Sequence, residues 1–163
     1  MLSKKITMSE ALRIVCSQED IHLAFRKDVE CGFDFYFLNG KLERTPLAIG
    51  ERNTVKIEIP QGAKRVISFH THPPIRLNNF LVVKAIPSHG DLIFSLFTRS
   101  RSEIFYICIG AFENGCKIVR CFELRNLIEN LRGTYINCVG EKWENFILNL
   151  MRKRRIKYLE KRI

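Results

Sequence analysis

Apolar positions along the chain change period several times, and each change marks an expected element. Ser9 to Cys16 packs Ala11, Leu12, Ile14 and Val15 into two turns, which reads as a short helix. Glu19 to Arg26 either continues that helix or forms a second one. Phe33 to Leu38 reads as a strand closed by Asn39-Gly40, a hairpin turn pair, with Lys41 to Ile49 as its partner. Val55-Lys-Ile-Glu-Ile59 alternates apolar and charged residues, the period of a half-buried strand. After a turn at Pro60-Gln-Gly62, Arg65 to Phe69 forms a short apolar strand that runs into His70. Pro73 to Pro87 is a long connection. Ser88 is a suitable N-cap for a helix over Asp91 to Thr98. Glu103 to Phe112, the turn Asn114-Gly115 and Lys117 to Leu124 predict a second hairpin. Trp143, Phe146, Ile147 and Leu150 fall at i, i+3, i+4 and i+7, so residues 141–163 read as a C-terminal helix. This order predicts an α+β (mixed α/β) fold on one central sheet, with residues 1–163 as a single domain.

Composition narrows the class. A chain of 163 residues can bury a core without metal or disulfide staples. Hydrophobic residues at 46% and charged residues at 27% exclude a disordered chain. The apolar runs are too short to span a bilayer, and Met1-Leu-Ser-Lys-Lys-Ile6 has no apolar stretch behind it, so an intracellular, cytoplasmic protein without a membrane role is expected. The net charge is +10, and residues 141–163 carry eight Lys/Arg against three Glu, which is half of that excess. Such a basic C-terminal helix favours anionic partners, nucleic acid among them, through Arg152-Lys-Arg-Arg-Ile-Lys157; a solvated helix face is the plainer account. None of the six cysteines forms a C-x-x-C pair, against a zinc ribbon or a thioredoxin-like site. Cys108, Cys116 and Cys121 lie in apolar strand-like surroundings and read as buried thiols, with an intracellular disulfide as the alternative.

Candidate chemistry gathers between His70 and Asp91. His70 and His72 alternate at a strand end, so both imidazoles point to one face and can converge on one ion. Zinc accepts nitrogen and carboxylate ligands, and a catalytic site uses three of them and keeps one position open. Asp91, beside Pro87-Ser-His-Gly90, is the nearest third ligand. His89 and His22 read as ordinary loop or helix residues. No serine triad can be assembled by spacing, and no glycine-rich nucleotide loop is present.

His70-Thr71-His72-Pro73 followed by Ser88-His89-Gly90-Asp91 resembles the JAMM motif of the MPN+ (Mov34/JAB) metalloprotease family: an upstream Glu, then His-x-His-Pro, then Ser-x-x-Asp. The family includes AMSH-type isopeptidases acting on ubiquitin-like tails, and RadC-like proteins. The resemblance covers roughly residues 25 to 125. It implies a curved mixed sheet flanked by helices, and Zn2+ held by His70, His72 and Asp91. It also implies a glutamate general base just before the first sheet strand, and Ser88 as donor to the oxyanion.

Glu30 matches that base by position, although it lies two residues before Gly32 where the family places its glutamate three before; Asp28 and Glu58 are the alternatives. The fourteen residues 74–87 between Pro73 and Ser88 exceed the family spacing by several. Phe80-Leu-Val-Val83 within them could receive an extended substrate tail by strand addition, or be a packed insertion. The expected function is a zinc-dependent metallopeptidase or isopeptidase, acting on a protein or peptide with an extended, ubiquitin-like C-terminal tail. A RadC-like, nucleic-acid-associated role and a non-catalytic MPN scaffold are the alternatives; retention of His70, His72, Ser88 and Asp91 argues against the scaffold.

Overall fold

The computed structural model describes residues 5–26, 28–77, 80–82, 84–88, 90–91, 105–131 and 141–163. Helix α1 spans Met8–Cys16. Its start is fixed by a capping box: Thr7 Oγ1 accepts from the Glu10 N–H at 3.2 Å, and the Glu10 carboxylate accepts from the Thr7 N–H at 2.8 Å. A single 3-10 turn, Ile21–Ala24, follows where Glu19 to Arg26 offered more helix.

The strands in chain order are β1 (Cys31–Leu38), β2 (Lys41–Arg44), β3 (Ala48–Ile49), β4 (Lys64–Thr71), β5 (Ile75–Leu77), β6 (Phe80–Val82), β7 (Tyr106–Glu113), β8 (Cys116–Glu123) and β9 (Tyr158–Arg162); helices α2 (Leu124–Leu131) and α3 (Glu141–Arg152) lie between β8 and β9. Seven strands form one mixed sheet in the order β2-β1-β4-β7-β8-β9, with β3 also on β1. Among the described strands only β4 and β7 pair in parallel, an arrangement that calls for a crossover connection rather than a hairpin. Strands β5 and β6 form a separate antiparallel ribbon, Ile75 facing Val82 and Leu77 facing Phe80. The fold is α+β, as expected. Both predicted hairpin turns are present, with Asn39-Gly40 and Asn114-Gly115 in the left-handed region that such turns require.

Each face of the sheet carries its own core. On one, Phe33, Phe35, Ile67 and Phe69 pack with Ala11, Leu12 and Val15 of α1. On the other, Ile107, Ile109 and Phe122 pack with Leu127 of α2 and Trp143 and Ile147 of α3. No helix among the described residues is long and apolar enough to cross a membrane.

Several expectations are corrected. Residues 141–163 are not one helix. The helix stops at Arg152 in a Schellman-type turn, with Arg154 left-handed (φ 55°), its N–H on Met151 O and the Arg155 N–H on Leu150 O. The next residues become β9, which pairs with β8, so the basic stretch is shared by a helix end, a turn and an edge strand. Lys41 to Ile49 is split at Thr45 into β2 and β3, because Thr45 exchanges backbone and side-chain hydrogen bonds with Asp34 instead of continuing the ladder. Val55 to Ile59 keeps its alternation of half-buried and exposed side chains but belongs to no strand; the Arg65 guanidinium donates to Ile57 O at 2.8 Å. Cys108 and Cys121 are buried as expected, but face one another across β7 and β8 and form a disulfide; Cys16, Cys31 and Cys116 remain thiols. The helix expected after Ser88 is described only at Gly90 and Asp91, and residues 92–98 and His89 lie outside the described residues.

Candidate metal centre and its cleft

The site is built at the end of β4. His70 closes the β4–β1 register opposite Gly32, and the His72 N–H continues the pairing with β7 by donating to Gly110 O at 2.8 Å. Both imidazoles are thus held by ladder hydrogen bonds on one face. Between them Thr71 points to the other face. It is 1% exposed, accepts from the Cys31 N–H at 3.1 Å and donates to Ala24 O at 2.9 Å. This side chain ties the histidine strand to the start of β1 and to the 3-10 turn.

Two glycines make room for the arrangement. A Cβ at Gly32 would lie 2.3 Å from the Phe69 carbonyl oxygen and 3.1 Å from His70 Cα. A Cβ at Gly110 would lie 2.8 Å from Phe25 Cζ and 3.2 Å from Thr71 Cγ2.

Asp91 arrives from the crossover. Ser88 and Asp91 cap one another: the Ser88 N–H donates to Asp91 Oδ2 at 2.7 Å, and the Asp91 N–H donates to Ser88 Oγ at 3.1 Å. The segment leading to Ser88 is anchored from α3 by Trp143 Nε1 on Pro87 O at 3.0 Å and by the Lys84–Glu144 ion pair at 3.0 Å. Asp91 Oδ1 lies 3.0 Å from His70 Nε2, Asp91 Oδ2 lies 3.3 Å from His72 Nε2, and the two Nε2 atoms are 3.1 Å apart. One ligand atom from each of the three residues falls within 4.8 Å of the others, so the group could hold a metal ion. His72 Nδ1 faces Lys84 O at 3.4 Å, a contact that favours the proton on Nδ1 and leaves Nε2 as a donor to metal.

A cleft of about 480 Å³ opens beside this cluster, lined by Glu30, Asp34, Asn53 to Ile57, Arg65, Ser68, His70, Ser88, Gly90, Asp91 and Ile107. Glu30 reaches it because its backbone pairs with the 50–51 segment, its N–H on Glu51 O at 2.7 Å and its O on the Gly50 N–H at 2.8 Å. Asp28 is exposed, and Glu58 is 77% exposed on the side chain and paired with Lys56 at 2.7 Å. Neither alternative lines the cleft.

Charge in the site is strongly coupled. Burial pushes the Glu30 carboxyl up, His70 and His72 oppose that, and Asp91 adds to it. Burial disfavours a charged His70, but Asp91 outweighs it, with Glu30 and Asp34 assisting, and the imidazole is pushed up to about 9. Burial likewise opposes ionised Asp91, yet His70 and the hydrogen bonds from both histidines hold it well below the usual carboxylate range.

Asp34 and Arg65 also reach this cleft, and sequence reasoning missed both. Asp34 is 2% exposed and ion-paired with Arg65. A bulge delivers Arg65: Phe35 faces Ile67 but Tyr36 faces Arg65, so Val66 is the extra residue. The shift sends Arg65 to the cleft side while Val66 and Ile67 both enter the opposite core. The available signal was a carboxylate inside the apolar run Phe33-Asp-Phe-Tyr-Phe37, since buried charges are rarely left unpaired.

Comparisons with known protein families, with curated proteins and with solved structures find no match for the chain.

Proposed function

We propose that the chain is a zinc-dependent hydrolase of the JAMM type, cleaving an amide or isopeptide bond next to an extended, ubiquitin-like tail. The observation that carries this reading is the convergence of Glu30 with Ser88 on the His70–His72–Asp91 cluster in one cleft, from three separate parts of the chain. Two imidazole nitrogens and a carboxylate suit zinc, and the Lys84 carbonyl on His72 Nδ1 is the outer contact such a ligand uses. His70, His72 and Asp91 would hold the ion, which when bound supplies Lewis acidity and acidifies water.

The remaining chemistry belongs to the chain. Glu30, desolvated and so more basic than an exposed glutamate, accepts a proton from the attacking water and passes it to the departing amine nitrogen. Ser88 Oγ already accepts from the Asp91 N–H, which leaves its own hydroxyl proton to be donated to the developing oxyanion. Such a donor contributes about 2.7–4 kcal/mol where one has been removed in other enzymes. The reading is tested by metal analysis of the purified protein and by cleavage of a ubiquitin-like fusion. Zinc near one per chain and chelator-sensitive cleavage are expected. Protein without zinc, or cleavage undiminished in Asp91→Ala, would sink it.

A nucleic-acid-associated role is the second reading. It is favoured by an open groove of about 580 Å³ lined by Arg152, Arg154 and Lys157, where α3 turns into β9. Binding to DNA that weakens steeply with salt would support it.

A further inference from the structure

The two histidines of the metal cluster are supported unequally. His72 has the Lys84 carbonyl behind Nδ1. The polar contacts of His70, with Asp91 and His72, both run through Nε2, and among the described residues its Nδ1 has no hydrogen-bond partner. A ligating imidazole with a loose second nitrogen is poorly oriented, which is why metal-bound histidines are almost always held from behind.

The acceptor for it lies on the neighbouring strand. His70 faces Gly32, and Ser68 faces Asp34, so Asp34 is the diagonal neighbour of His70 on the same side of the sheet. No side chain stands between them on β1 at Gly32, and none fits there. Asp34 is almost wholly buried; Oδ2 is engaged by Arg65, Oδ1 has no hydrogen bond of normal geometry, and the Ser68 hydroxyl lies close enough to the carboxyl to favour its charged form. A buried acceptor left open is costly, by about 1–3 kcal/mol, so its retention on the cleft floor calls for a use. We propose that Asp34 is the positioning carboxylate of the metal centre: its Oδ1 accepts a hydrogen bond from the Nδ1–H of His70, directly or through the Ser68 hydroxyl, when His70 serves as a ligand through Nε2. Burial pushes this carboxyl up and Arg65 opposes that; by donating to Ile57 O, Arg65 also links the pair to the outer wall of the cleft. The inference rests on the metal-binding reading of His70, His72 and Asp91.

The test is zinc affinity by chelator competition, with cobalt absorption spectra as a second readout, on the full chain. Asp34→Asn, of the same size, is expected to weaken zinc binding about 10- to 100-fold and to change the ligand-field bands of the cobalt-loaded protein. Arg65 is left with a buried charge in that variant, so the deciding arm is the double variant Asp34→Asn with Arg65→Met, which carries no unpaired charge. If Asp34 serves His70, the double variant stays weakened. If Asp34 only neutralises Arg65, the double variant regains wild-type affinity, and the inference is overturned. Unchanged zinc affinity in Asp34→Asn overturns it equally. Wild-type protein that binds no zinc would remove the metal-site reading itself, a result distinct from either.

Discussion

His70 and Gly32 face each other across the antiparallel strands β4 and β1, and there is no space for a side chain at Gly32. The first obstacle is the Phe69 carbonyl, a backbone atom that cannot rotate away. Gly32→Ala must therefore push β1 from β4 at the point where His70 is held. We expect a loss of about 1–3 kcal/mol in denaturant unfolding, the usual range for overpacking, together with weakened zinc binding. A variant as stable as wild type would show that the strands part without cost.

Thr71 makes the same junction from the other face. Thr71→Val keeps the shape but strands a buried Cys31 N–H; the Ala24 carbonyl loses one of its two donors and keeps the Arg26 N–H at 2.9 Å. The expected cost is about 1–3 kcal/mol for the buried N–H left unsatisfied. Serine at this position should recover most of it, because the lost element is the hydroxyl. If Thr71→Ser is as damaging as Thr71→Val, the methyl packing against Gly110 governs instead.

Where the local physics was decisive, the fold was legible in advance. The apolar spacing from Ser9 to Cys16 gave α1, whose start the Thr7–Glu10 capping box sets at Met8, and the Asn-Gly pairs at 39–40 and 114–115 set their hairpins with no help from elsewhere. The two halves of the metal cluster were legible for a related reason: strand alternation puts His70 and His72 on one face, and Ser88 and Asp91 cap each other locally. What escaped depended on distant partners. Val55 to Ile59 has the burial period of a strand, but period reports which side is covered, not whether a neighbour completes the ladder. The last basic residues continue a helical composition, yet the free edge of β8 captures Tyr158–Arg162. Arg65 could not be assigned to the cleft without the bulge, because simple alternation from Ile67 points it into the opposite core.

The choice among Glu30, Asp28 and Glu58 gives a sharp contrast. Glu30→Gln preserves shape and leaves the three ligands untouched, so zinc content should stay near wild type while hydrolysis of a ubiquitin-like fusion falls by about 10²–10⁴-fold, the usual contribution of general acid–base groups. Glu58→Ala and Asp28→Ala should leave turnover within about twofold, as expected for surface positions. Loss of activity in Glu58→Ala with Glu30→Gln still active would transfer the base to the 55–59 segment.

The anchor on Pro87 links helix α3 to the site. Trp143 is 4% exposed and donates to the Pro87 carbonyl, one residue before Ser88. Trp143→Phe removes the donor and part of the ring. It is expected to cost about 1–3 kcal/mol in stability. Because Asp91 is placed by Ser88, it should also weaken zinc binding more than a control of similar stability loss on α1, such as Val15→Ala. Equal zinc affinity in the two variants would confine Trp143 to the core.

Metal uptake should itself depend on pH, with a sign set by His70. In the metal-free protein this imidazole is pushed up to about 9, chiefly against burial and by Asp91, so it is protonated at neutral pH. An ion requires the neutral ring, and binding at pH 7 should release close to one proton. Apparent affinity then rises about tenfold per pH unit between roughly pH 7 and 8.5 and levels off above 9. Calorimetry in buffers of different ionisation enthalpy reads the proton directly. The same shift bears on stability without metal. The folded value lies above the ordinary 6.5, so the His70–Asp91 pair stabilises the metal-free fold fully below pH 6.5 and loses that contribution as pH rises through about 9. Chelator-treated protein should therefore lose melting temperature across that window, and zinc-loaded protein should not. Zinc binding with no proton release at pH 7 would mean that His70 is neutral beside Asp91, and that the charge balance of the cluster is held by other groups.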